Sequence, residues 1–147
     1  MISVIQRVLE AKVLVNAEPV GAITHGMLVL AAVEKDDTTA DVDWTASKLV
    51  ALRIFPNAEK SFDLDVKQSG GAILLVSNFT VAADTRKGRR PSLDNAAPPD
   101  KGRDLFMQLV TAVRNLGVPV ATGQFGADMQ ITLTNDGPVT FLVKSRD

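Results

Sequence analysis

Apolar and polar positions alternate at both ends of the chain and the apolar ones run together in its middle. Ile2, Val4 and Val8, then Val13 and Val15, mark short β-rich stretches separated by Glu10 and closed by Asn16. Glu18-Pro19 and Gly21 punctuate a turn. Residues 27–33, Met-Leu-Val-Leu-Ala-Ala-Val, form an unbroken apolar run of strand length, the pattern of a strand covered on both faces. Four strands are expected by residue 33.

Thr38 or Thr39 is placed to cap a helix whose apolar positions are Val42, Ala46, Leu49 and Val50, ending before Arg53. Gly70-Gly71 turns the chain into a second buried strand over residues 72–76. A polar loop from Asp84 to Pro99 follows. Asp100 then stands where a second helix is capped, with Leu105, Leu109, Ala112, Val113 and Leu116 on one side. Gly117 and Pro119 end that helix. Met129, Ile131 and Leu133 alternate with Gln130, Thr132 and Thr134, a half-buried strand. Asn135-Asp136-Gly137-Pro138 reads as a turn before a closing strand over 139–143. Strands outnumber helices and come in runs. The expectation is therefore an α+β single domain over residues 1–147, a largely antiparallel, barrel-like sheet with two main helices.

Composition narrows the chemistry. The chain has 147 residues, enough for one core, and a net charge of −1. It has no cysteine, which removes disulfides, thiolate metal sites and cysteine nucleophiles. Its single histidine, His25, is the only imidazole a Ser–His–Asp triad could use, and its setting before an apolar run reads as an exposed turn. No stretch has the length of a membrane span or the form of a signal peptide, so a cytoplasmic location without membrane association is expected.

Charge is uneven. Glu34, Asp36, Asp37, Asp41 and Asp43 face one lysine; their spacing matches no calcium loop, and they read as a solvated, acidic helix start. Arg86, Lys87, Arg89 and Arg90 crowd the loop after Asp84 and read either as a solvated surface or as a contact for RNA phosphates. Gly123-Gln124-Phe125-Gly126 is not a dinucleotide fingerprint, and Gly70-Gly71 is not a P-loop. Ser77-Asn78-Phe79-Thr80 brings polar groups out of the end of a buried strand, where hydroxyls and backbone amides can face a developing oxyanion.

Taken together, these segments resemble the D-aminoacyl-tRNA deacylase family, of the D-tyrosyl-tRNA deacylase type. The resemblance runs from Gln6-Arg7-Val8 through Arg53-Ile54-Phe55 and residues 74–80, 83–92 and 97–99, to residues 122–129 and 135–140. It implies a cytoplasmic homodimer that hydrolyses the ester between a D-amino acid, or glycine, and the terminal ribose of tRNA, without metal or other cofactor. It assigns the aminoacyl pocket to Ser77, Asn78, Phe79 and Thr80. It makes Gly137-Pro138 a cis pair that enters the partner subunit's site and excludes L side chains, with Arg7 holding that pair. The family usually has Gln where Asn78 stands, and often a bulkier residue in place of Ala82. Thr80 has no evident base and is expected to position substrate while water attacks. The competing reading is a non-catalytic nucleic-acid-binding module built on the Arg86–Arg90 loop; a peptidase or small-ester hydrolase lacks a recognisable triad.

Overall fold

The first strand sets the architecture. The computed structural model describes all residues 1–147. β1 (Ile2–Val15) is continuous where two short stretches were expected. Asn16 and Ala17, both at positive φ, turn it tightly into β2 (Glu18–Ile23). β3 (Gly26–Ala32) follows on the same antiparallel course, so that β2 pairs with the second half of β1 and β3 with the first. Pro19 thus opens a strand rather than a turn, and three strands precede residue 33 instead of four. On β1 lies also β6 (Gln130–Lys144), antiparallel along nearly its whole length.

β4 (Ala72–Ser77) runs parallel to β3, and the short β5 (Val120–Thr122) runs parallel to β4. The sheet is therefore mixed, with three antiparallel ladders and two parallel ones. The parallel pairs follow from the two helices, each of which carries the chain back before the next strand. β5 lacks a sequence signature because three residues are too few to show alternation. The sheet curls until Gly21 of β2 meets β5: a Cβ there would stand 2.1 Å from the Thr122 carbonyl oxygen, so only glycine permits this approach.

Alternation through β3 and β4 divides the interior. Met27, Val29, Ala31, Ile73 and Leu75 face the helices, in one core with Leu49, Phe55, Leu109 and Val113. Leu28, Leu74 and Val76 face the other way, into a smaller core with Val8, Val13 and Ile23. That two-sided burial is the reason these strands read as unbroken apolar runs.

α1 (Thr39–Ala51) is capped at Thr38, whose amide donates to the Asp41 carboxylate at 2.9 Å. Val42, Ala46 and Leu49 are buried as their spacing predicts. α2 (Pro99–Asn115) begins at Pro99, so Asp100 lies in its first turn rather than at its cap. Proline suits that place because the first helical amide needs no partner. Leu105, Leu109 and Val113 are buried, whereas Leu116 is exposed. Gly117, at φ +87°, ends the helix.

The acidic segment departs from its expected solvation. Asp36 and Asp43 are exposed, but Asp37 and Asp41 are buried. Asp37 binds the Met1 amino group at 2.5 Å, and Asp41 takes two hydrogen bonds from Arg146, at 2.8 and 2.6 Å. Long-range partners near both ends of the chain, invisible in local spacing, draw these carboxylates inward. His25 is likewise half-buried, 3.2 Å from the Ser69 carbonyl and edge-on to Phe55.

Candidate functional site

β4 ends at Ser77, and the chain enters a single 3₁₀ turn, Phe79–Ala82. The Asn78 amide still follows the sheet, donating to the Ala31 carbonyl at 2.9 Å. The Val81 amide then closes the turn on the Asn78 carbonyl at 3.2 Å. Between them, the amides of Phe79 and Thr80 open the turn, where a helix leaves donors without an intrahelical acceptor. A rigid strand thus delivers two amides, the Ser77 hydroxyl and the Asn78–Thr80 pair to one place.

Ser77, Asn78 and Phe79 line a cavity of about 600 Å³. Its opposite wall comes from Ala97, Pro99 and Gly102 at the start of α2 and from Phe125, Met129 and Ile131. The walls are mainly apolar, and Asp128 is the single ionisable residue among them. Thr80 does not line it; its hydroxyl donates to Asn78 Oδ1 at 2.5 Å from the rim. Sequence reasoning found the strand-end segment but gave no site role to Phe125, Asp128 or Met129. Their signal lies in the segment from residue 122 to 129, which carries the family resemblance.

Gly137-Pro138, whose peptide bond is cis, is exposed and lies outside this cavity. Instead of a turn between two strands, residues 136–139 form a bulge within β6: Gln6 faces Thr140 while Val8 already faces Asn135. The Asn135 side chain closes the base of the bulge, accepting from the Val139 amide at 2.8 Å and donating to the Val139 carbonyl at 3.1 Å. Arg7 supports it from below. Nearly buried, its Nε donates to the Asp136 carbonyl at 2.9 Å and its Nη1 to the Ile54 carbonyl at 2.8 Å. The Asp136 carboxylate adds a contact at 3.5 Å. Asn135 was missed as a supporting residue because its partners become adjacent only when β6 pairs with β1.

The basic loop is a narrow excursion whose ends are tied by two hydrogen bonds between Asp84 and Ser92, each 2.9 Å. Arg86 folds back on Asp84 with contacts of 2.9 and 2.6 Å, and these hydrogen bonds hold the Asp84 carboxyl well below the usual carboxylate range. Lys87, Arg89 and Arg90 are exposed and form no ion pair. The structure therefore separates the four basic residues into one strut and three free cations. No group of three or more histidine or carboxylate side chains is gathered to hold a metal. No helix is long and apolar enough to cross a membrane.

Known proteins resemble this chain in sequence and in fold. A D-aminoacyl-tRNA deacylase of Geobacter metallireducens is 52 % identical over 99 % of this chain and 96 % of its own. A protein of the same name from Thermotoga petrophila is 49 % identical over 99 % of this chain and 97 % of its own. Among solved structures, one described as a c-Myc DNA unwinding element binding protein superposes with a TM-score of 0.96, at 32 % identity over the whole of both chains. Another, described as a probable eukaryotic D-amino acid tRNA deacylase, shares the fold with a TM-score of 0.82, at 18 % identity over 97 % of each chain. The family model for D-Tyr-tRNA(Tyr) deacylase matches residues 4–144, and the chain belongs to that family.

Proposed function

We propose that the protein hydrolyses the ester joining a D-amino acid, or glycine, to the terminal ribose of tRNA and spares L-aminoacyl esters. The observation that carries this reading is the opening of the strand-end segment, through Ser77, Asn78 and Phe79, onto an apolar cavity large enough for a nucleoside and its ester. Family membership supplies the substrate class.

In this reading the terminal nucleoside lies against the apolar wall and the ester carbonyl points at the first amides of the 3₁₀ turn. Water adds to the carbonyl carbon, with the neighbouring ribose hydroxyl assisting. Negative charge collects on the carbonyl oxygen, facing the Phe79 and Thr80 amides and the Ser77 hydroxyl. The C–O bond to the ribose then breaks, the amino acid leaves as its carboxylate, and the ribose oxygen takes a proton. The ester is activated, so oriented donors suffice. His25 plays no part: it sits at the start of β4, the opposite end from Ser77.

Selection against L substrates is assigned to Gly137-Pro138 held by Arg7. In one protomer the pair lies outside the cavity, so it reaches an ester only when a second copy delivers it. β6 pairs with β1 on one side alone, and Phe62, Phe141 and Leu142 are exposed at 51, 40 and 59 %. These features support a homodimer joined near that edge. Lys87, Arg89 and Arg90 would meet tRNA phosphates, and a cytoplasmic location follows from that substrate.

Purified protein, with chelator present, should release D-tyrosine and glycine from tRNA while leaving L-tyrosyl-tRNA intact, and should sediment at twice the chain mass. Equal rates on D and L esters would remove the chiral filter. A monomer with full selectivity would remove the cross-subunit arrangement. The free cations of the basic loop favour one second reading, a nucleic-acid-binding module, and binding without turnover would establish it.

A further inference from the structure

We propose that Arg103 binds a phosphodiester of the RNA strand that leaves the cavity, an assignment that rests on the deacylase reading. Gly102 and Phe125 both line the cavity, and the Arg103 guanidinium stands over the Phe125 ring, 5.2 Å from its centroid. Phe125 is braced in turn by the buried Phe106, with ring centroids 6.1 Å apart. A cation held on a braced ring keeps its place at the cavity wall while its edge stays open.

That edge is unused. Arg103 is exposed and makes neither an ion pair nor a hydrogen bond, so its guanidinium donors are free. Arg7, Arg53, Arg86 and Arg146 are each paired with a carboxylate. Arg89 and Arg90 are free too, but Arg103 is the free arginine stacked on a residue of the cavity wall. Its neighbour Asp104 accepts from Gln108 at 3.1 Å.

The substrate supplies the complement. A terminal nucleoside in the cavity is tied to its strand by a phosphodiester, and the strand must leave through the mouth. The planar fork of a guanidinium matches two phosphate oxygens, and the Phe125 ring fixes the plane from which it reaches them. Arg103 would thus set where the strand exits, whereas Lys87, Arg89 and Arg90 act from a separate loop.

The test compares the parent protein with Arg103→Ala and Arg103→Lys. Two substrates are used: D-tyrosyl-tRNA, and D-tyrosyl-adenosine ester, which has no phosphate. Binding of an uncharged RNA hairpin with a single-stranded 3′ end is followed across a salt series. For Arg103→Ala we expect KM for D-tyrosyl-tRNA to rise about tenfold with kcat unchanged. The salt slope of hairpin binding should fall by about 0.7. The adenosine ester should be cleaved as by the parent, and lysine should recover part of the loss. An equal rise in KM on both substrates would overturn the proposal in favour of packing through Phe125. So would an unchanged KM and slope. A parent that cleaves neither D ester, yet loses salt slope on Arg103→Ala, would sink the deacylase reading and leave the RNA contact standing.

Discussion

The Thr80 hydroxyl donates its proton to Oδ1 of Asn78 at 2.5 Å, two residues away within the same turn. A threonine hydroxyl has one proton to give, and here an amide oxygen holds it. An amide is no base, so the geometry argues against Thr80 as a nucleophile. Thr80→Ala should therefore lose about one hydrogen bond's worth of positioning, a rate decrease of roughly fivefold. Loss of a true nucleophile would cost about 10⁴-fold or more, and an ester trapped on Thr80 would overturn the assignment. Rapid-quench hydrolysis with mass analysis of the protein separates the two outcomes.

Gly137 has no room for a side chain. A Cβ would stand 2.3 Å from the Val139 amide nitrogen and 2.6 Å from its side chain, so the bulge must move. The β1–β6 ladder resumes on either side of the bulge. Gly137→Ala should keep the parent's circular dichroism spectrum while the ratio of D- to L-tyrosyl-tRNA hydrolysis collapses. An unchanged ratio would release the bulge from any role in selection. Arg7→Ala should reach the same result with a larger loss of stability, about 2–4 kcal/mol by thermal unfolding. It strips the buried Ile54 carbonyl and the part-buried Asp136 carbonyl of their donor.

The basic loop gives a prediction graded by residue. Arg86 is bound to Asp84, so Arg86→Ala should alter the shape of the loop more than its net pull on phosphates. The double substitution of Arg89 and Arg90 removes two free cations and should lower the salt slope of tRNA binding by about 1–2. Equal slopes in all variants would leave the loop as a solvated surface.

Asp41 links the start of α1 to Arg146. Hydrogen bonds from that guanidinium, from the Thr38 amide and from Ser145 outweigh burial and hold its carboxyl well below the usual range. In the unfolded chain the group returns to a pKa of about 3.9. Acid therefore protonates the unfolded state first. The stabilisation is fully present above about pH 5 and is lost as pH falls through the unfolded value toward the folded one. Asp41→Asn should cost about 1–2 kcal/mol at neutral pH, toward the lower part of the range because Arg146 is half-exposed. Its stability should also decline less steeply than the parent's below pH 4. Urea titrations at several pH values measure both; parallel pH profiles would refute the linkage.

Much of the fold was legible in local pattern. The helix spacing of Val42, Ala46 and Leu49, the apolar runs of β3 and β4, and Gly117 beyond α2 each report a near-neighbour requirement that sequence expresses directly. The family and its candidate residues were legible for a different reason: the segments around Arg7, residues 77–80 and Gly137-Pro138 occur in a specific order. What resisted reading was long-range. Asp37 and Asp41 looked solvated because Met1 and Arg146 lie far away in sequence. Asn135 looked like a turn residue, and the three residues of β5 were assigned to no element.

By itself, then, the sequence determined both helices and most of the strands, that no thiol or histidine pair is available for catalysis, and which short motifs are candidates for the chemistry. Those are properties of side-chain type and of spacings of a few residues. Only the tertiary structure decided that β1 is one continuous strand shared by β2, β3 and β6. Only there does Phe125 face Ser77 across a cavity, Asn78 accept a hydrogen bond from Thr80, and Arg103 come to rest over Phe125. Such contacts form where the curl of the sheet and the seating of α2 bring distant segments together. Their energies depend on burial and distance, which no local pattern encodes.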